Sequence, residues 1–226
     1  MTLGPTIALG FVLGMRHATD ADHVAAVAAT VGRERLARRA AWIGVWWGLG
    51  HTLTIVVVGA AIVLFNWIIQ PRLALAMEFA VGLMLVTLGL RNVGASHHTR
   101  VTPPARRDRL PAGLVIDTII RPAAIGVVHG LAGSAAVTLM VMTTIPSPAW
   151  AMVYLLVFGV GTIAGMSLIT FGIAIPICAF GEPSVRRHAF IRFATGLASV
   201  ALGLLVVYRI AAIDGLFAAV PKWSPN

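Results

Sequence analysis

Apolar runs long enough to cross a membrane recur along the whole of this chain, and they limit its fold more than any other feature. A helix needs about 20 apolar residues to span the hydrocarbon core of a bilayer. Hydrophobic residues make up 58% of the 226 positions and charged residues 11%, whereas soluble domains carry about 25% charged residues. We therefore expect an all-α membrane protein that spans the lipid bilayer several times.

Hydropathy predicts six transmembrane helices separated by short polar connections. They cover residues 4–31, 41–67, 73–92, 114–145, 149–179 and 190–213. Arginines gather in the first, third and fifth connections: Arg33, Arg35, Arg38, Arg39, Arg91, Arg100, Arg106, Arg107, Arg109, Arg186, Arg187 and Arg192. Positive residues collect on the cytoplasmic side of a membrane, so both termini should lie outside. The same placement accounts for the formal charge of +9 without a nucleic-acid partner.

The two halves of the chain resemble each other at an offset of about 112 residues. GMRHATDADHVAAV, which starts at Gly14, matches GVVHGLAGSAAVTL, which starts at Gly126, and this match places His17 over His129. WGLGHTL in the second span matches FGVGTIA in the fifth. FAVGLMLVTLGL in the third span is identical at most positions to FATGLASVALGL in the sixth. Three matches in the same order indicate an internal duplication.

The duplication predicts two three-helix repeats, residues 1–92 and 114–226, joined by a cytoplasmic linker at 93–113. Because each repeat has an odd number of spans, the second copy should enter the membrane from the opposite face. Many secondary transporters are built from such inverted repeats, with the substrate site near the bilayer midplane. A duplicated membrane scaffold with another task is the alternative.

The stretch RHATDADH places ionisable groups in the middle of the first apolar run: Arg16, His17, Asp20, Asp22 and His23. An Asp or Arg at the bilayer centre costs at least about 2.5–3.5 kcal/mol, so these groups need partners or a wet cavity. In a regular helix Arg16 would pair with Asp20, four residues on. For Arg16 and Asp20 a structural ion pair is about as consistent with the sequence as a functional role, whereas it leaves the remaining groups unexplained, and they stay as candidates for a functional site.

Helix geometry does not allow all of these groups to meet one ion. At 100° per residue, Asp22 points away from the stripe that carries Asp20 and His23. Either the helix is broken here, as transporter helices often are at their sites, or one of the polar groups binds the ion only indirectly.

Two further histidines lie within apolar spans, His51 in the second and His129 in the fourth. Histidines with carboxylates and no thiolate form a ligand set that suits Ni²⁺, Co²⁺, Zn²⁺, Mn²⁺ or Fe²⁺ better than Cu⁺. His129 beside Gly130 is nearly as consistent with a packing role as with a ligand role. The candidate metal ligands are therefore His17, Asp20, Asp22, His23, His51 and His129.

Several motifs resemble those of the nickel/cobalt transporter family. The spacing of His17, Asp22 and His23 resembles its signature, a histidine followed after four residues by Asp-His, and GLGHT (Gly48 to Thr52) resembles its second motif. AGMSL (Ala164 to Leu168) resembles a further motif, although the Asp-Thr that usually follows is absent. GVVHGLAGSAA is similar to the urease-associated branch. The resemblance adds Thr52 as a neighbour of the metal site.

The resemblance implies uptake of Ni²⁺ or Co²⁺ across a bacterial plasma membrane, with the metal as substrate and no permanent cofactor. The chain has no GxxxxGK[ST] loop, so we expect secondary transport rather than ATP hydrolysis. The alternatives are an efflux permease for the same metals and an intramembrane metal-dependent hydrolase, although an enzyme has no particular need for an inverted repeat.

Overall fold

The computed structural model describes residues 3–31, 36–65, 70–97, 115–131, 145, 147–179, 185–219 and 221–222. Within these ranges the regular structure is helical, with no strand, which confirms the expected all-α class. The α-helices are α1 (Leu3–His17), α2 (Ala21–Val31), α3 (Ala37–Phe65), α4 (Pro71–His97), α5 (Arg121–Gly130), α6 (Pro148–Ala179) and α7 (Val185–Tyr208). Short π-helical segments, Ile116–Ile120 and Arg209–Ile213, precede α5 and follow α7.

Four helices are long and apolar enough to cross a bilayer: Ala37–Phe65, Pro71–Ser96, Pro148–Pro176 and Ala189–Ile213. They coincide with the second, third, fifth and sixth expected spans, and they make the chain a multi-pass membrane protein. The fourth expected span, 114–145, is described as a helix only as far as Gly130, and residues 132–144 lie outside the described ranges. The count of six therefore stays a prediction.

The first expected span is not one continuous helix, because α1 ends at His17 and α2 begins at Ala21. Of the two alternatives left open for the span 4–31, the structure therefore shows the broken helix. Thr19 Oγ1 donates to the Arg16 carbonyl (2.6 Å), and the Asp20 amide donates to the His17 carbonyl (3.1 Å). The first of these bonds comes from a side chain, and Thr side chains that bond backbone carbonyls in this way favour a break over a helix interior.

Glycines allow two pairs of helices to approach closely, and the two pairs resemble each other. A Cβ on Gly14 of α1 would collide with the Phe158 carbonyl of α6, and a Cβ on Gly126 of α5 would collide with the Trp47 carbonyl of α3. The reciprocal contacts are Gly161 with Phe11, and Gly50 with Ala123. Each contact maps onto its counterpart at the offset seen in the sequence, so α1 packs on α6 as α5 packs on α3.

The third spans of the two halves pack on each other. An added Cβ on Gly82 would lie 3.2 Å from the Gly203 carbonyl, and one on Gly196 would lie 2.9 Å from the Gly89 carbonyl. Residues early in α4 thus meet residues late in α7, so the two helices run antiparallel. When each residue is replaced by its equivalent in the other repeat, the contact of Gly82 with Gly203 becomes the contact of Gly196 with Gly89. An inverted repeat requires this correspondence. The contacts support that architecture, which remains a proposal.

We expect Gly14→Ala and Gly126→Ala to destabilise the protein, each by about 1–3 kcal/mol, because the new methyl group meets a backbone carbonyl of the facing helix. Gly94→Ala in α4 is the matched control, since no atom lies within 4 Å of its added Cβ. Thermal denaturation of the purified variants in detergent measures the difference. Equal midpoints for Gly126→Ala and Gly94→Ala would contradict the packing described above.

Candidate metal centre

The break between α1 and α2 brings together four histidines from four helices. His17 ends α1, His23 lies in the first turn of α2, and His51 and His129 reach them from α3 and α5. The ring centroid of His23 lies 4.5 Å from that of His17, 5.0 Å from that of His51 and 4.2 Å from that of His129. His23 is therefore the centre of a compact histidine cluster.

The cluster is closed off from the surface. The exposed fraction is 6% for His17 and 0% for each of the other three histidines. Burying polar groups is unfavourable unless they find hydrogen-bond or metal partners. The buried nitrogens His23 Nε2, His51 Nδ1 and His129 Nδ1 have no hydrogen-bond partner in the described part of the chain. These atoms are free to bind a ligand.

Two carboxylates orient the histidines. His17 Nδ1 donates to Asp20 Oδ2 (2.8 Å), and His23 Nδ1 donates to Asp22 Oδ1 (3.1 Å). Because an ionised carboxylate can only accept, the proton of each ring lies on Nδ1 and the lone pair on Nε2. Metal-binding histidines commonly have this arrangement, in which a carboxylate sets the tautomer and the ring orientation.

The second oxygen of Asp22 reaches the other half of the chain. His129 Nε2 donates to Asp22 Oδ2 (2.9 Å), so one carboxylate joins His23 of α2 to His129 of α5. The match between the two halves of the sequence did not identify a hydrogen-bond partner for His129, and this interaction supplies one. It ties α5 to the helix break.

Two sets of three residues have ligand atoms that lie within 4.8 Å of one another, close enough for each set to hold an ion after small side-chain adjustments. The first set is His17, His23 and His51, and the second is Asp22, His23 and His129. In the first set His17 Nε2 lies 3.0 Å from His51 Nε2. Two nitrogens bound at about 2.0–2.1 Å to a tetrahedral ion lie roughly 3.3 Å apart, so this separation is close to that of a ligand pair.

Arg16 and Thr52 were expected beside the metal ligands, and their surroundings in the structure differ from that expectation. Asp20 pairs with His17, whereas the Arg16 side chain is exposed, so the expected Arg16–Asp20 pair is replaced by a histidine–carboxylate pair. The physical reason is the end of α1 at His17, which removes the helical spacing that the pair needs. Thr52 Oγ1 donates to the Gly159 carbonyl (3.2 Å) and thus fastens α3 to α6.

Two aromatic residues at the cluster were not among the expected site residues. The ring centroid of Phe158 lies 5.5 Å from that of His17, and the ring centroid of Trp47 lies 5.9 Å from that of His129. Both side chains are buried. The match between WGLGHTL and FGVGTIA already placed Trp47 over Phe158, and that match was the available signal.

Comparison with known proteins identifies the family. The family model NicO, described as high-affinity nickel-transport protein, matches residues 3–91, which carry His17, Asp22, His23 and His51. The urease accessory protein UreH of Bacillus sp. (strain TB-90) is 35% identical over 216 residues, which cover 93% of this chain and 94% of that protein. The chain belongs to the nickel/cobalt transporter family, in its urease-associated, UreH-like branch. The resemblance found in the motifs is thereby confirmed.

Two further relatives match in part. The high-affinity nickel transport protein of Cupriavidus necator is 39% identical over 70 residues, which cover 30% of this chain and 20% of that protein. The Arabidopsis thaliana chloroplast protein FOR GROWTH AND FERTILITY 1 is 27% identical over 217 residues, which cover 88% of this chain and 57% of that protein. No solved structure matches the chain. The family is one of transport proteins, not enzymes, as expected.

Proposed function

We propose that this protein carries Ni²⁺ across the bacterial plasma membrane into the cell, through the cluster of His17, Asp20, Asp22, His23, His51 and His129. The observation that carries the proposal is the joining of four buried imidazoles and two partly exposed carboxylates at a helix break, inside a member of a nickel-transport family. Co²⁺, which takes similar ligands, is the second expected substrate.

The composition of the cluster fits a divalent cation in a membrane. Transferring an isolated ion into an apolar interior is very unfavourable, so its charge must be matched there. Asp20 and Asp22 carry two negative charges against the two positive charges of the ion, and the imidazoles supply neutral nitrogen ligands. By the usual order of affinities, such a site binds Ni²⁺ and Co²⁺ more tightly than Mn²⁺.

The helix break adds a favourable electrostatic field. His17 lies at the C-terminal end of α1, where the helix dipole places partial negative charge. Transporters with inverted repeats use the ends of discontinuous helices for cations in the same way. The end of α1 therefore favours a cation, whereas the N-terminal end of α2 carries partial positive charge and favours the Asp22 carboxylate in its first turn.

Uptake is the direction that membrane energetics favours. We propose a secondary transporter with six spans, in which residues 1–92 and 114–226 form inverted repeats joined by the cytoplasmic linker 93–113. An inside-negative potential is worth about 2.3 kcal/mol per charge per 100 mV and pulls a divalent cation inward. Efflux through the same site is the second candidate.

Uptake of ⁶³Ni²⁺ into proteoliposomes tests the function. With a potassium diffusion potential that is negative inside, we expect accumulation that is competed by excess Co²⁺ and much less by excess Mn²⁺. Vesicles without protein are the control, and a reversed potential should lower the initial rate of uptake. Equal transport of Mn²⁺ and Ni²⁺ at trace concentration, or no uptake above protein-free vesicles, would contradict the proposal.

A further inference from the structure

We infer that the cluster holds the transported ion at two successive positions that share His23. His17 and His51 complete the first position, and Asp22 and His129 complete the second. The inference rests on the proposed function and adds to it an order of ligand exchange, in which one ion passes from the first position to the second without leaving His23.

The spacing of the ligand atoms separates the two positions. Among the described residues, the groups that could hold an ion contain three members each, and no group contains all four histidines. The ring centroids of His51 and His129 lie 6.0 Å apart, whereas each lies 5.0 Å or less from that of His23. In this arrangement one ion can bind His23 together with either partner set, and the two sets do not form a single group of ligand atoms.

A close pair of ligand atoms marks each position. His17 Nε2 lies 3.0 Å from His51 Nε2, and Asp22 Oδ2 lies 2.9 Å from His129 Nε2. Each pair is joined by a hydrogen bond, and an ion can take its place when the donor imidazole moves that proton to its other nitrogen, Nδ1 of His51 or of His129, which has no hydrogen-bond partner among the described residues. The His23 ring lies between the two pairs, with its centroid 4.5 Å from that of His17 and 4.2 Å from that of His129.

The two positions differ in ligand chemistry and in how readily they open. The first offers three nitrogens, two of them on rings that carboxylates orient. An ion at the first position displaces only the hydrogen bond between His17 and His51, whereas an ion at the second needs Asp22 itself and must displace the bond from His129 and compete with the bond from His23. We therefore expect the ion to rest at the first position and to pass through the second. Two divalent ions so close together would repel each other strongly, so the positions are occupied in turn.

The two positions also lie at opposite ends of the cluster. Phe158 of α6 packs beside His17, and Trp47 of α3 packs beside His129, at equivalent places in the two copies of the repeat. Helices α1, α2 and α3 of the first half build the first position, whereas the second position uses α5 of the second half. Movement of the ion between them is thus movement from one half of the chain to the other.

Glutamine substitutions separate binding from transfer. His51→Gln removes a ligand of the first position only, and His129→Gln removes a ligand of the second position only. His23→Gln removes the ligand that both positions share. At position 129 the glutamine amide retains a donor for Asp22, so that carboxylate is not left unpartnered. Size-exclusion chromatography in detergent checks that each variant is folded before measurement.

Equilibrium ⁶³Ni²⁺ binding, the visible spectrum of bound Co²⁺ and initial ⁶³Ni²⁺ uptake are measured on the full-length wild-type protein and the three variants. We expect one ion per wild-type chain. For His129→Gln we expect an unchanged Co²⁺ spectrum and a Ni²⁺ affinity within about 3-fold of the wild-type value. We expect its uptake to be at least about 10-fold slower, which is comparable to the effect of removing a residue that hydrogen-bonds to a metal ligand. His51→Gln should lower affinity by about 100-fold or more and change the spectrum, and His23→Gln should abolish both binding and uptake.

The inference is overturned if His129→Gln transports at the wild-type rate, or if it loses affinity as severely as His51→Gln, because the cluster is then a single site. Absence of uptake by the wild-type protein would instead contradict the proposed function. In that event the binding and Co²⁺ measurements still decide the inference, since equal effects of His51→Gln and His129→Gln on affinity would refute it.

Discussion

Alanine at His17 or His51 should reduce initial Ni²⁺ uptake to the level of protein-free vesicles, while the protein still reaches the membrane. Each substitution removes one of the three nitrogens of the first position. Its effect on uptake should therefore exceed the loss of roughly 10–100-fold in metal affinity or activity that follows removal of a residue that only hydrogen-bonds to a ligand. Alanine at Asp22 or His23 should have the same effect. Abundance stays near normal because alanine is smaller and less polar than the group it replaces, which lowers the cost of placing it in a bilayer. Uptake of ⁶³Ni²⁺ and immunoblots of membranes measure the two quantities.

Two substitutions at residues that are not among the proposed ligands serve as controls for this prediction. His97→Ala makes the same substitution at the C-terminal end of α4 and should leave uptake unchanged. Arg16→Ala should leave abundance unchanged, because the Arg16 side chain is exposed and Asp20 is held by His17. If His17→Ala and His51→Ala transport at the wild-type rate, the cluster is a structural network and not an ion site.

A cysteine placed in the 93–113 linker should react with a membrane-impermeant maleimide only after permeabilisation, whereas cysteines near either terminus should react in intact cells. The expected difference is all or none, because the arginines of the linker strongly favour the cytoplasmic side. Ala105→Cys, Thr2→Cys and Ser224→Cys, each made in a Cys178→Ser background, provide the three positions. Labelling of Ala105→Cys in intact cells would refute the proposed topology.

One contact near the C-terminus bears on this topology. Arg72, at the start of α4, donates to the carbonyls of Ala218 (3.1 Å) and Ala219 (3.0 Å), so these two parts of the chain lie on the same face of the membrane. If α4, α6 and α7 were the only helices that cross the membrane between Arg72 and Ala218, the number of crossings would be three. Because three is odd, the two parts of the chain would then lie on opposite faces. A further crossing within 114–145 gives an even number. The contact therefore supports six spans.

Hydropathy and composition were enough to predict a multi-pass helical membrane protein and to single out the polar residues that needed an explanation. Length and hydropathy are local properties, and they placed the four long helices to within a few residues. His17, Asp22, His23 and His51 stood out because ionisable groups are costly in an apolar run whatever the fold around them. The internal repeat likewise predicted which glycines of the two halves would make equivalent contacts.

Which of these groups contact one another depends on how the helices pack. Whether the first span breaks depends on what its polar groups gain at the break, and Asp22 gains a partner from the distant residue His129. The choice of His17 over Arg16 as the partner of Asp20 follows from that break. The sharing of His23 between two ligand sets depends on how closely glycines let α3 approach α5 and α1 approach α6. Such distances between helices arise from packing across the whole chain, so no local stretch of sequence encodes them.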